Sequence, residues 1–98
     1  MPIRHTVVFS LVHEPGSEPA DRFFTDARAT LTSIPGVEDF VISEQVSPKS
    51  DLTHQFAMTF ADDAAYAAYN AHPVHVDFVA TRWVPEVAAF QEYDFIEA

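Results

Sequence analysis

The chain contains no cysteine, which removes disulfide frameworks and thiol nucleophiles together. Glycine is almost absent, with two in 98 residues. A phosphate-cradling loop needs several glycines so that backbone N–H groups can approach the anion, so none is expected here. Only 5 basic residues stand against 15 acidic ones, a formal charge of -10. Neutralising phosphates takes clustered Lys and Arg, so nucleic acids and anionic membrane surfaces are disfavoured as partners. No apolar run is long enough to span a bilayer. Met1-Pro2-Ile3-Arg4-His5 leads straight into strand-like residues, without the charged and apolar regions of a signal peptide, and a cytoplasmic location is the expectation.

What is present is apolar bulk. Hydrophobic residues make up 48% of the chain, and nine Phe, three Tyr and one Trp exceed the needs of a minimal core. An apolar cavity or an apolar partner surface is therefore expected. A chain of this length buries roughly 60–70% of its unfolded surface, enough for one core but not two, so residues 1–98 are read as a single domain.

Residues 3–12 alternate, with apolar side chains on both faces in the middle, as in a central strand covered on both sides. After the turn chemistry of His13-Glu14-Pro15-Gly16-Ser17, residues Ala20, Phe23, Phe24, Ala27, Leu31 and Ile34 recur at helical spacing until Pro35-Gly36. Strands are expected over residues 37–46 and 54–60, separated by the polar loop Ser47-Pro48-Lys49-Ser50-Asp51. Asp62-Asp63 opens a second helix, which breaks at His72-Pro73 and resumes to Pro85. Residues 88–96 form a fourth strand.

This order, strand, helix, strand, strand, broken helix, strand, gives an α+β, ferredoxin-like antiparallel sheet with both helices on one face and the first and third strands central. The other face, partly apolar, needs covering. A two-fold homodimer whose sheets form a joint α/β barrel is the simplest remedy.

Chemistry concentrates at the helix break. The residue before a proline is pushed out of the α region and proline fits a first helical turn, so His72 reads as a cap and Pro73 as the first helical position. His75 then falls in the first turn, where partial positive charge from unpaired N–H groups favours a neutral ring able to accept a proton. A packing histidine with a fixed hydrogen-bond partner is the competing reading. His5 and His54 each interrupt an apolar strand face and need a partner or a ligand. The fourth strand, antiparallel beside the first, brings Asp94 near His5. His72 and His75 at i, i+3 make no recognised metal spacing because Pro73 takes His72 out of the regular helix, so no metal is expected.

Arg4-His5-Thr6-Val7-Val8-Phe9, together with Tyr69-x-x-His72-Pro73-x-His75-Val76-x-Phe78 and Trp83, resembles the stress-responsive dimeric A/B barrel (Dabb) family. Phe23-Phe24 and Tyr93-Asp94-Phe95 extend the resemblance over nearly the whole chain. The resemblance implies a homodimer and two functions. One is a cofactor-independent, aldol-type polyketide cyclase similar to plant olivetolic acid cyclase, a lyase-like activity with His75 as base and Tyr69 as its partner. The other is a non-catalytic dimeric barrel with a structural or ligand-binding role. It also implies that His5, His54 and Asp94 are cavity neighbours, that Phe23, Phe24 and Trp83 line the cavity, and that the ligand is small and apolar or aromatic. The strand from Ala88 to Phe95 is poor in large aliphatic residues, which points to a different substrate from the cyclase's.

Overall fold

A computed structural model describes residues 1–98. Strand β1 (Ile3–Leu11) leads to helix α1 (Glu18–Leu31), then strands β2 (Glu38–Glu44) and β3 (His54–Phe60). Helices α2 (Asp63–Ala71) and α3 (Pro73–Phe78), a π-type turn over Val79–Trp83, the short turn α4 (Val84–Glu86) and strand β4 (Val87–Phe95) complete the chain. The sheet order is β2-β3-β1-β4 with every neighbouring pair antiparallel, the ferredoxin-like α+β arrangement.

Local chemistry sets the helix ends. Ser17 caps α1 by accepting from Ala20 N–H, and Glu18 and Asp21 sit in the first turn, where carboxylates complement the exposed N–H groups. The apolar stripe of α1 runs on to Ile34, but the helix stops three residues earlier, at Leu31. Pro35 pushes Ile34 out of the α region, and Thr32 turns its hydroxyl back onto Arg28 O at 2.5 Å. Ile34 is still buried in the core, beyond the helix rather than on it. Asp62 caps α2 through a 2.8 Å bond from Ala65 N–H.

The core lies between α1, the broken helix and the inner face of the sheet. Phe9, Phe23, Phe56, Met58 and Phe60 are sealed there. Phe9 meets Phe56 edge-on at 4.7 Å, and Phe23 stacks parallel to Phe56 at 6.2 Å. Truncating one of these rings to Ala would cost about 3–5 kcal/mol.

The segment after Phe78 is not the uniform helix its spacing suggests. Val84 N–H bonds back five residues to Val79 O, widening the helix by one residue. Pro85 has no N–H to continue an α ladder, and the wider turn accommodates that missing donor. The turn is clamped from outside. Arg82 Nε bonds Glu86 Oε2 and Nη1 bonds Asp26 Oδ2, both at 2.6 Å, while His13 Nε2 reaches Glu86 Oε1 at 2.8 Å. These bonds outweigh the effect of burial and hold the Glu86 carboxyl below its ordinary pKa.

The outer sheet face carries no helix. Val41, Ala57, Thr6 and Tyr93 form one row across all four strands, and Phe95 lies beside Arg4 in the next. Tyr93 and Phe95 are 51% and 55% exposed.

Candidate functional site

The break between α2 and α3 follows from the proline. His72 takes an extended conformation, and its Nδ1 accepts from Val74 N–H at 3.1 Å, so this histidine is used as a cap. His75, three residues on, is thereby turned back towards Tyr69. The two rings lie with centroids 4.4 Å apart.

His75 Nδ1 lies 3.2 Å from Asn70 O. A carbonyl can only accept, so Nδ1 carries the proton and Nε2 presents a lone pair. Burial lowers the pKa of His75, reinforced by nearby His5 and opposed by the Asn70 carbonyl and Glu92. The ring is neutral near pH 7. Burial, rather than the positive end of a helix, is the main cause.

Tyr69 is almost fully buried, yet its hydroxyl bonds to nothing in the chain. No sealed side-chain polar atom lacks a partner, so the hydroxyl must open onto a cavity. Burial first, then Tyr66 and Glu92, raises the pKa of Tyr69 well above the ordinary phenol value. It is a donor and not a base.

His5 stands on the inner face of β1, opposite Asp94 on β4. Its Nδ1 donates to Asp94 Oδ1 at 2.6 Å, and the Tyr66 hydroxyl, 2.9 Å from the same nitrogen, donates to Asp94 Oδ2 at 2.9 Å. Burial and the Asp94 carboxylate push the Tyr66 phenol upward, so it also remains a donor. With Nδ1 committed, Nε2 of His5 is left open, since it too is unpartnered and not sealed.

All three groups line one cavity of about 320 Å³. His5, Tyr69, Asn70, His75 and Glu92 are its polar members, set into an apolar wall that includes Phe56, Met58 and Trp83. The Tyr69 ring stands 6.3 Å from His5 and 4.4 Å from His75 and links the two imidazoles. Chemically, the arrangement offers two imidazole nitrogens without a partner in the chain and one phenolic donor facing a mostly apolar space.

Several residues expected at the cavity lie elsewhere. His54 pairs with Phe9, four positions along the strands from the His5–Met58 pair, roughly 13 Å away at strand spacing. It stacks beside Phe24 at 4.5 Å, its Nδ1 lies 2.9 Å from Thr53 Oγ1, and it faces a separate polar groove with Phe24. Phe23 is sealed among Phe9, Phe56 and Phe78 rather than lining the cavity. Phe24, half-buried at the edge of the same apolar stripe, packs against Phe9 and His54 and lines the groove beside His54 instead. Asp94 acts from behind His5 and is not part of the cavity wall. Trp83 does line the cavity.

Tyr66, Asn70 and Glu92 were not singled out from the sequence. Tyr66, Tyr69 and Asn70 share a helix face at i, i+3, i+4, and Glu92 shares a strand face with Asp94 two residues on, so both signals were available in the spacing. No group of three or more His, Asp or Glu side chains is arranged to hold a metal ion.

A family model described as the stress responsive A/B barrel domain matches residues 3–97. The chain belongs to that family. This A/B barrel domain is 50% identical to a Dabb family protein with a ferredoxin-like fold from Mesorhizobium loti MAFF303099, covering 99% of this chain and 97% of that one at a TM-score of 0.98. A hydroxynitrile lyase from Passiflora edulis shares the fold at 18% identity, covering 99% and 94% of the two chains, with a TM-score of 0.84. A dimeric ferredoxin-like protein from Thermobifida fusca YX shares it at 17% identity over 99% and 92%, with a TM-score of 0.78. Identities this low establish a common fold and no more. No curated protein matches this A/B barrel domain.

Proposed function

We propose that this domain binds a small apolar, phenolic or polyketide-like ligand in the cavity and performs cofactor-independent acid–base chemistry on it, of the aldol-cyclase or lyase type. The observation that carries this reading is the convergence of His5, Tyr69 and His75 on a single apolar cavity, each with an uncommitted polar atom. Aldol closure needs a base for an acidic methylene proton and a donor for the enolate oxygen that develops. His75 Nε2 is the base and the Tyr69 hydroxyl the donor. His5, oriented by Asp94 and Tyr66, is a second group able to exchange a proton with the ligand. The hydroxynitrile lyase on the same fold supports the broader point that the scaffold can host a lyase.

The domain acts, in this reading, as a homodimer packed sheet to sheet. The half-exposed Tyr93 and Phe95 on the uncovered face support it, as does the dimeric relative from Thermobifida fusca. No metal or organic cofactor takes part.

The test is a titration with β-polyketones, their thioesters and simple phenols, read by thermal shift and by product formation. Ligands that bind only the folded state must raise the midpoint. Binding with turnover supports the enzyme, binding without turnover supports a non-catalytic ligand-binding barrel, and no binding by any compound defeats both.

A further inference from the structure

We infer that Glu92 makes the cavity selective for uncharged ligands and excludes carboxylates and other anions of the same shape. The inference rests on the reading that the cavity takes a small aromatic ligand, and it narrows that ligand's class. Glu92 pairs with Val7 across the sheet and so stands on the inner face, where it lines the cavity while remaining exposed. It is the one carboxylate in the wall, and it makes no ion pair.

None of the 5 basic residues compensates it. Arg82 is held by Asp26 and Glu86, and Arg22 pairs with Glu18. Arg4 donates to Asp39 O and Thr59 Oγ1. Arg28 lies over the Phe40 ring, and Lys49 sits in the exposed loop between β2 and β3. An anion entering the cavity would therefore meet a like charge beside low-dielectric walls and find no lysine or arginine to receive it, whereas a neutral ligand can use the Tyr69 hydroxyl and the open imidazole nitrogens without that repulsion. Partial screening at the exposed carboxylate reduces the repulsion to roughly a tenfold penalty in affinity.

Benzamide and benzoate form a matched pair of probes, nearly identical in shape and different in charge. The chain has one tryptophan, and it lines the cavity, so quenching of Trp83 fluorescence reports entry. At about pH 8 the wild-type domain should bind benzamide and discriminate against benzoate. Glu92→Gln should tighten benzoate about tenfold relative to benzamide. Raising salt from about 20 mM to about 0.5 M should strengthen benzoate binding more in the wild type than in the variant, which keeps the repulsion of the other acidic residues but not that of Glu92, an effect a merely structural role would not produce. Equal affinity for the two probes in the wild type, or benzoate affinity unmoved by Glu92→Gln, overturns the inference while leaving the ligand-binding reading in place. Absence of quenching by either probe in either protein overturns both together.

Discussion

The Tyr69 and His75 rings meet at 4.4 Å with planes inclined by 47°, across the break that Pro73 imposes between α2 and α3. Because Tyr69 is the deeper of the two and His75 only half-buried, substituting them should have different consequences. His75→Ala removes one 3.2 Å bond to a backbone carbonyl that solvent can replace. Stability should fall by less than about 1 kcal/mol, while ligand binding or turnover collapses. Chemical denaturation alongside the Trp83 titration checks this. A loss above about 2 kcal/mol with binding intact would make His75 a packing residue.

Tyr69→Phe deletes a hydroxyl with no partner inside the chain and keeps the ring. Folding should be nearly unchanged, because the hydroxyl opens onto the cavity and its loss leaves no group of the chain unpaired. If the hydroxyl holds a developing oxyanion, kcat should drop about 10²-fold or more with little change in KM. Equal kcat in the two proteins would remove Tyr69 from the mechanism.

Much of this site was legible because backbone rules are local. The His72 cap and the placement of Pro73 at the start of α3 follow from proline sterics, and the alternation of β1 with β4 puts Asp94 opposite His5. The position of His54 was not legible. Periodicity assigns it to the inner face of β3, but how far along that face it stands depends on the register against β1, which the sequence pattern leaves open. The π turn was hidden for a related reason. One widened turn barely disturbs the apolar spacing, though it sets where Val79 and Trp83 enter the cavity wall. The role of Tyr66 depends on a contact between α2 and β4, far apart in the sequence.

The Tyr66–Asp94–His5 network fixes one tautomer of His5. Asp94→Asn replaces the carboxylate with an amide that can present either a donor or an acceptor, so the preference of Nδ1 for the proton weakens. Nitrogen chemical shifts of His5 should move towards a tautomer mixture, and any step that uses Nε2 should slow about tenfold or more. Tyr66→Phe removes only the outer donor and should produce a smaller change of the same sign. Unchanged His5 shifts in Asp94→Asn would show that the pair does not orient the ring.

Stability should depend on pH through His75 and His54, both lowered mainly by burial. Above about pH 7.5 each ring is mostly neutral in both states and contributes little slope. As the pH falls from there towards the lower folded-state values, the unfolded chain binds protons that the folded chain refuses, and stability is lost. The slope cannot exceed about 1.4 kcal/mol per pH unit for each group, and exposure to solvent keeps it well below that. Urea midpoints between about pH 8 and pH 5 should decline, and His75→Asn should make the decline shallower. An identical profile in the variant would contradict a depressed His75.

The uncovered sheet face yields the last prediction. Its middle row, Val41, Ala57, Thr6 and Tyr93, has no charged side chain, and Phe95 adds a second half-exposed ring beside it. Two such faces pressed together across a two-fold axis would bury apolar area at about 25 cal/mol per Å² removed from water, and each added charge would meet its own copy or be left desolvated. Sedimentation at micromolar concentration should therefore show the wild type at twice the chain mass. Tyr93→Glu with Phe95→Glu should give the single mass. Because neither residue contributes to the core beneath the helices, the monomeric variant should keep its secondary structure, which circular dichroism checks. A wild type that stays monomeric, or a double variant that stays dimeric, would place the interface elsewhere or remove it.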